Sequence, residues 1–240
     1  TMARLGVDGS EEYAVRALEQ SLSFLRTDHV DLWYLHRRDL KRPIEETVGA
    51  MAKAVKAGKV KAIGLSEVSA DTLRKASAIH SIAAVQSEFS IFTRFVEDEG
   101  VLAACKDVGA TLVAYSPLGR GMLTGSFTTD WKPNGPDFRA AMAPRFQGEA
   151  LANNLALVGE IGRVAKEAGV TPNQIALAWV LQRADNIVTI PGTTKLANLK
   201  SNLASADVKL SPSAVSKLDT LASKVKGERY DESGMRAVNG

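Results

Sequence analysis

Cysteine is scarce in this chain: among 240 residues there is a single one, Cys105. One cysteine cannot form an intramolecular disulfide. Its neighbours Val101, Leu102, Ala103 and Ala104 are apolar, so it reads as a small buried hydrophobe. No signal peptide and no apolar run near eighteen residues is present, which excludes a membrane-spanning helix and makes the expected location cytoplasmic. Charge of one sign is also lacking. Thirty basic side chains stand against 27 acidic ones, a formal +3, too small and too dispersed for a nucleic-acid footprint. No zinc or calcium ligand spacing occurs, so no metal is expected. There is no G-x-S-x-G elbow and no Walker motif. Gly119-Arg120-Gly121 with Gly125 misses G-x-G-x-x-G by one residue, so there is no Rossmann fingerprint.

What is there reads as an ordinary globular protein, with 45% apolar and 24% charged residues. A chain of this length buries roughly 70% of its unfolded surface without a staple. Ser10 reads as an N-cap, followed by Glu11, Glu12 and apolar residues at helical spacing to Leu25. Residues 30–36 then read as a strand. A helix spans about 44–57 and stops at Gly58. Strands at 60–66, 83–89 and 111–115 alternate with helices at 69–79 and 101–108. Residues 119–148 break the rhythm with clustered glycine and proline, a long excursion that is either functional or disordered. Helices over about 149–168 and from the capping box Thr171-Pro172-Asn173-Gln174 to Gln182 follow. A fifth strand at 187–190 and helices at 196–204 and 211–225 precede a polar tail. Strand starts near 30, 60, 83 and 111 leave room for crossover helices, the pattern of a parallel α/β protein. Periodicity leaves open whether the sheet is doubly wound or part of a barrel.

In such folds ligands meet the carboxyl ends of the strands. Standing there are His36-Arg37, Ser66-Glu67, Gln86 to Ser90, Ser116-Pro117 and Gly192-Thr193-Thr194-Lys195. The last group precedes a helix carrying Asn198 and Asn202. Free N–H groups at a helix start, hydroxyls and a lysine suit a phosphate, although a plain capped loop has the same composition. A lone histidine is more often structural than catalytic. His36 sits at the top of a strand, where an imidazole can donate to a developing oxyanion or move a proton. Glu97-Asp98-Glu99 reads as a solvated helix start.

Five ordered segments resemble the aldo-keto reductase family, closest to its branch of fungal, bacterial and plant carbonyl reductases. They are Asp31 through Asp39, Gly58 through Glu67, Val85 through Ser90, Ala114 through Gly121, and Ile190 through Lys195. The resemblance implies a (β/α)8 TIM barrel, a single domain over residues 1–240, that binds NADP(H) without a Rossmann fold and reduces aldehydes or ketones to alcohols. It implies that His36 is the catalytic histidine, that Ser66 and Gln86 hold the nicotinamide carboxamide, and that Tyr115 stacks on the nicotinamide ring. Ser116, Pro117, Leu118, Gly119, Arg120 and Gly121 would wrap the pyrophosphate. Thr193 and Lys195 would take the 2′-phosphate, with Gly192 also in the cofactor site and Asn198 and Asn202 near the adenine. Glu67 stands where relatives often carry asparagine, and Asn198 where many carry arginine, leaving Lys195 as the main charge for the 2′-phosphate.

The family also uses an aspartate, a tyrosine general acid and a lysine from barrel units upstream of anything present here. Tyr13, Tyr34 and Tyr230 do not match that tyrosine's motif. Five strands in place of eight imply a barrel incomplete at its N-terminus by roughly 90 residues. Open sheet edges invite pairing with another chain, so the chain alone is expected to be poorly stable, a homo-oligomer or rearranged, with a small carbonyl substrate and neither nucleic acid nor membrane as partner. The alternative is a catalytically inactive nucleotide-binding or scaffold protein on the same fold.

Overall fold

The structure is a computed structural model that describes residues 6–133, 135–236 and 238. Five strands, β1 (Val30–Leu35), β2 (Val60–Ser66), β3 (Ile82–Glu88), β4 (Thr111–Tyr115) and β5 (Ile187–Thr189), form one sheet in the order β1-β2-β3-β4-β5. A doubly wound sheet reverses direction at a switch point, whereas a barrel keeps strands in chain order. The strictly sequential order therefore resolves the choice that periodicity left open, in favour of the barrel arrangement. By contacts the chain divides into two compact units. The first holds the described residues through Ser87, with Phe95–Val113 and Arg236. The second holds Glu88–Arg94 and Ala114–Met235.

In unit one, α1 (Glu11–Leu25), α2 (Ile44–Lys56) and α3 (Ala70–Ile79) are followed by a single turn, α4 (Phe95–Asp98), and by α5 (Val101–Val108). Ser10 caps α1 by accepting from the Tyr13 N–H at 3.2 Å, and Ser69 caps α3 through Thr72 at 3.2 Å. The parallel register pairs Tyr34 with Gly64, Leu35 with Leu65, and Ser66 with Gln86. Leu18 and Leu22 of α1 pack on Val60, with Trp33 and Val55 against them. Cys105 is fully buried and its thiol is pushed up to about 12 by that burial, as a packing residue should be. Glu97 and Asp98 fall in the one-turn α4, just ahead of α5.

In unit two, α6 (Phe138–Met142), α7 (Gly148–Ala168), α8 (Pro172–Leu181), α9 (Leu196–Ala204), α10 (Pro212–Asp219) and α11 (Glu232–Met235) surround a core centred on α8. Six successive residues of α8, Ile175 to Val180, are buried, so this helix is covered on all sides. Its capping box forms, with the Thr171 N–H donating to Gln174 Oε1 at 2.9 Å. Trp179 donates to Asp219 Oδ1 at 2.9 Å and packs on Phe89, ring centroids 5.4 Å apart.

Three segments differ from the sequence reading. The excursion at 119–148 is built on an aromatic cluster: Phe127, Trp131 and Phe146 meet at 5.1 to 5.8 Å, with the Arg139 guanidinium within 5.9 Å of each ring. The tail expected to be polar is packed, because Arg229 is buried and the Asp231 N–H donates to the Met142 carbonyl at 3.0 Å. The helix expected at 211–225 stops at Asp219 and resumes as a short 3-10 turn at Ala222–Lys224.

Candidate functional site

At the carboxyl ends of β1, β2 and β3, unit one presents His36, Ser66 and Gln86. The register places them level: Leu35 pairs with Leu65 one residue before, and Ser66 pairs directly with Gln86. Arg37 ties the row together. Its guanidinium donates to the His36 carbonyl at 2.7 Å and to Ser66 Oγ at 3.2 Å. Surrounding protein, and secondarily the Arg37 charge, hold the His36 imidazole below the usual histidine pKa, so it is neutral at pH 7 with one N–H to donate. The Gln86 side chain hydrogen-bonds the Tyr34 hydroxyl, whose pKa burial raises. A primary amide has two donors and two acceptor lone pairs, so capacity remains for a ligand. Glu67 follows with φ 53, a left-handed backbone in a buried position, where asparagine is the better-tolerated residue. Its N–H donates to the Gln86 carbonyl at 3.0 Å.

Unit two contains a cavity of about 590 Å³ between two chain segments. One wall is the turn after β4, where Tyr115, Ser116, Pro117, Leu118, Arg120 and Gly121 all line the space. The turn is tight: Ser116, Gly119, Arg120 and Gly121 all have positive φ, from 48° to 94°. At Gly121 a Cβ would stand 3.3 Å from the Phe127 ring, so the residue is small for both backbone and space. The facing wall is Ile190 to Thr193 with Asn198, Ser201 and Asn202 of α9. Lys195 is the N-cap residue of α9 and is exposed at its start.

The residues singled out in the sequence thus fall into two sets. His36, Ser66 and Gln86 form the row of unit one. In unit two all the expected cofactor residues line the cavity except Gly119 and Lys195, which flank it in the chain. Several have further engagements. The Arg120 guanidinium is paired with buried Glu88 at 2.8 Å, and Asn202 accepts from Asn173 Nδ2 at 3.2 Å. Sequence reasoning missed Asn173, Ser201, Thr124, Ser126 and Arg139, which also line the space. Asn173 was visible only as part of a helix cap. Arg139 lies in the irregular excursion, where no periodicity reports direction.

Hydroxyls and amides dominate this lining, and among the described residues no carboxylate is part of it. Lys195 and the N–H groups at the start of α9 add positive potential. Such a surface suits an extended, polar, anionic ligand with a planar ring against Tyr115. Among the described residues no three His, Cys, Asp or Glu side chains gather to hold a metal, and no helix is long and apolar enough to cross a membrane.

A Glycine max protein named "Probable aldo-keto reductase 1" is 47% identical over 205 residues, covering 85% of this chain and 58% of that protein. The aldo-keto reductase yakc [NADP(+)] of Schizosaccharomyces pombe is 42% identical over 231 residues, 94% of this chain and 67% of the relative. In structure, the glycerol dehydrogenase AKR11B4 of Gluconobacter oxydans superposes with a TM-score of 0.82 at 26% identity, over 91% of this chain and 66% of that one. The chain therefore spans between 58% and about two thirds of these proteins' lengths. The sequence profile of the Aldo/keto reductase family matches residues 2–223, so that the sequential parallel sheet and the ordered strand-end motifs have one common explanation: the chain belongs to the aldo/keto reductase family.

Proposed function

We propose that this chain carries the NADP(H)-binding part, and the catalytic histidine, of a reductase that converts aldehydes or ketones to alcohols. The observation that supports it most is the polar cavity of unit two, whose walls are the two segments expected to hold a dinucleotide. The relative yakc is named for NADP(+), and AKR11B4 for glycerol, an alcohol, which agrees with this class. When bound, the nicotinamide supplies the hydride that the carbonyl carbon accepts.

This chain's own residues would do the rest. Tyr115 would offer a ring face to the nicotinamide, and Ser66 and Gln86 would hold a carboxamide. Ser116 to Gly121 would wrap the pyrophosphate through the backbone and the Ser116 hydroxyl. Thr193 and Lys195, at the start of α9, would meet the 2′-phosphate. Asn198 and Asn202 would border the adenine. His36, neutral at pH 7, would donate its N–H to the carbonyl oxygen and orient it. A nucleotide-binding protein without turnover is the second reading, favoured by the cavity lying wholly within unit two.

Binding and turnover are tested in turn. In Lys195→Ala the NADPH dissociation constant should rise about tenfold or more while that of NADH changes little, since a charge-assisted bond to phosphate is lost. Equal losses remove Lys195 from the 2′-phosphate. In parallel, His36→Ala in the intact enzyme should lower carbonyl turnover by about 10²-fold with NADPH affinity kept. Unchanged turnover removes His36 from the chemistry, and no turnover in the unaltered protein supports the second reading.

A further inference from the structure

The chain that follows α10 is tied into unit two at every step. Gly227 has φ 82, and a Cβ there would lie 2.9 Å from the Arg145 nitrogen, so only glycine lets this strap lie on residues 144–145. Arg145 Nε in turn donates to the Gly227 carbonyl at 3.0 Å. Two residues on, Arg229 is 3% exposed and its guanidinium stands 3.8 Å from the Glu88 carboxylate, itself 2% exposed. The same carboxylate holds Arg120 at 2.8 Å, and Arg120 also donates to the Arg229 carbonyl. A buried carboxylate shared by two guanidiniums leaves Arg120 little freedom.

Arg120 then fixes what lies over it. Its guanidinium is 4.2 Å from the centroid of the Tyr230 ring, a close cation–π contact. From that ring the Tyr230 hydroxyl reaches the Tyr115 hydroxyl at 3.1 Å. Tyr115 and Arg120 line the cavity, and Tyr230 touches the site through both of them. We propose that Tyr230 is a positioning residue: seated on Arg120 by the Glu88-anchored strap, it holds the Tyr115 ring at the angle needed to stack on the nicotinamide. This rests on the reading of Tyr115 given above. It extends the cofactor site to residues 227–230, and it recasts Arg120 as the pin of that strap rather than a phosphate ligand.

The test is calorimetric titration of the purified chain with NADPH and with 2′,5′-ADP, which has the phosphorylated adenosine but no nicotinamide. Tyr230→Phe keeps the ring over Arg120 and removes only the hydroxyl. It should weaken NADPH about three- to tenfold, the range of one hydrogen bond, and leave 2′,5′-ADP within twofold. Tyr115→Phe should also weaken NADPH, and the two losses should not add in the double variant, because the Tyr115–Tyr230 bond is broken in all three. A merely structural role lowers the affinity of both ligands together, and that result overturns the proposal. So do additive losses in the double variant, or unchanged NADPH affinity in Tyr230→Phe. If the unaltered chain binds neither ligand, it is the proposed function that fails, and the positioning role falls with it. If it binds both equally, only the stacking role of Tyr115 and its support by Tyr230 are lost.

Discussion

Gly64 shows what a single position in this sheet has to satisfy. A Cβ there would stand 2.5 Å from Cε1 of Tyr34, its register partner on β1, so the tyrosine ring lies flat across the glycine. Tyr34 also carries the hydrogen bond to Gln86 at the end of β3. Gly64→Ala should therefore destabilise the protein by about 1–3 kcal/mol through overpacking, measured as a lower denaturant midpoint at unchanged slope. A shift below a few tenths of a kcal/mol would mean the ring moves aside freely. The sequence placed Gly64 in a strand but could not report this need, because the atoms that impose it belong to another strand. Glu67 was legible in the same partial way. Its departure from asparagine was plain, whereas the left-handed φ of 53 that gives the departure a meaning comes only from the fold.

Among the elements, the capped helices were the most legible. Ser10, Ser69 and Ser211 each accept a backbone N–H two to three positions into the helix, and the capping box at Thr171 forms. These are local interactions encoded by neighbouring residues. The excursion at 119–148 was illegible for the opposite reason. Phe127, Trp131, Arg139 and Phe146 are distant in the chain, and only their convergence gives the segment a shape. Arg139 also donates to the Arg120 carbonyl at 3.2 Å, joining the cluster to the turn at 119–121. Arg139→Ala should therefore speed proteolytic cleavage between residues 126 and 140 several-fold, and NADPH should slow it in the unaltered protein. Equal rates in variant and parent would show that the rings hold the segment without the guanidinium, and equal rates with and without NADPH would detach it from the cofactor.

Acid stability is a property of the whole molecule. Asp39 is buried, and its carboxylate accepts the Gly9 N–H at 3.1 Å and the Lys41 N–H at 3.0 Å. Those backbone bonds, that of Gly9 foremost, hold its pKa below the ordinary 3.8. Between the depressed native value and the ordinary one, the unfolded chain binds more protons than the folded one. The contribution is thus complete above the ordinary value and is lost as pH falls through the native one. Asp39→Asn should flatten the acid limb of stability below about pH 4 and lower stability at pH 7, read by denaturant titration across pH. An unchanged acid limb would assign it to other carboxylates.

By itself the sequence determined the parallel α/β class, the bounds of the strands and of most longer helices, the buried state of Cys105, and which residues stand at the strand ends. Each of these follows from local propensity, capping or apolar spacing, which act over a few residues. The sequential sheet order, the lining by Asn173 and Arg139, and the strap that brings Tyr230 to Tyr115 were decided by tertiary structure alone. They depend on contacts between positions as far as 115 residues apart, for which no local pattern in the chain keeps a record.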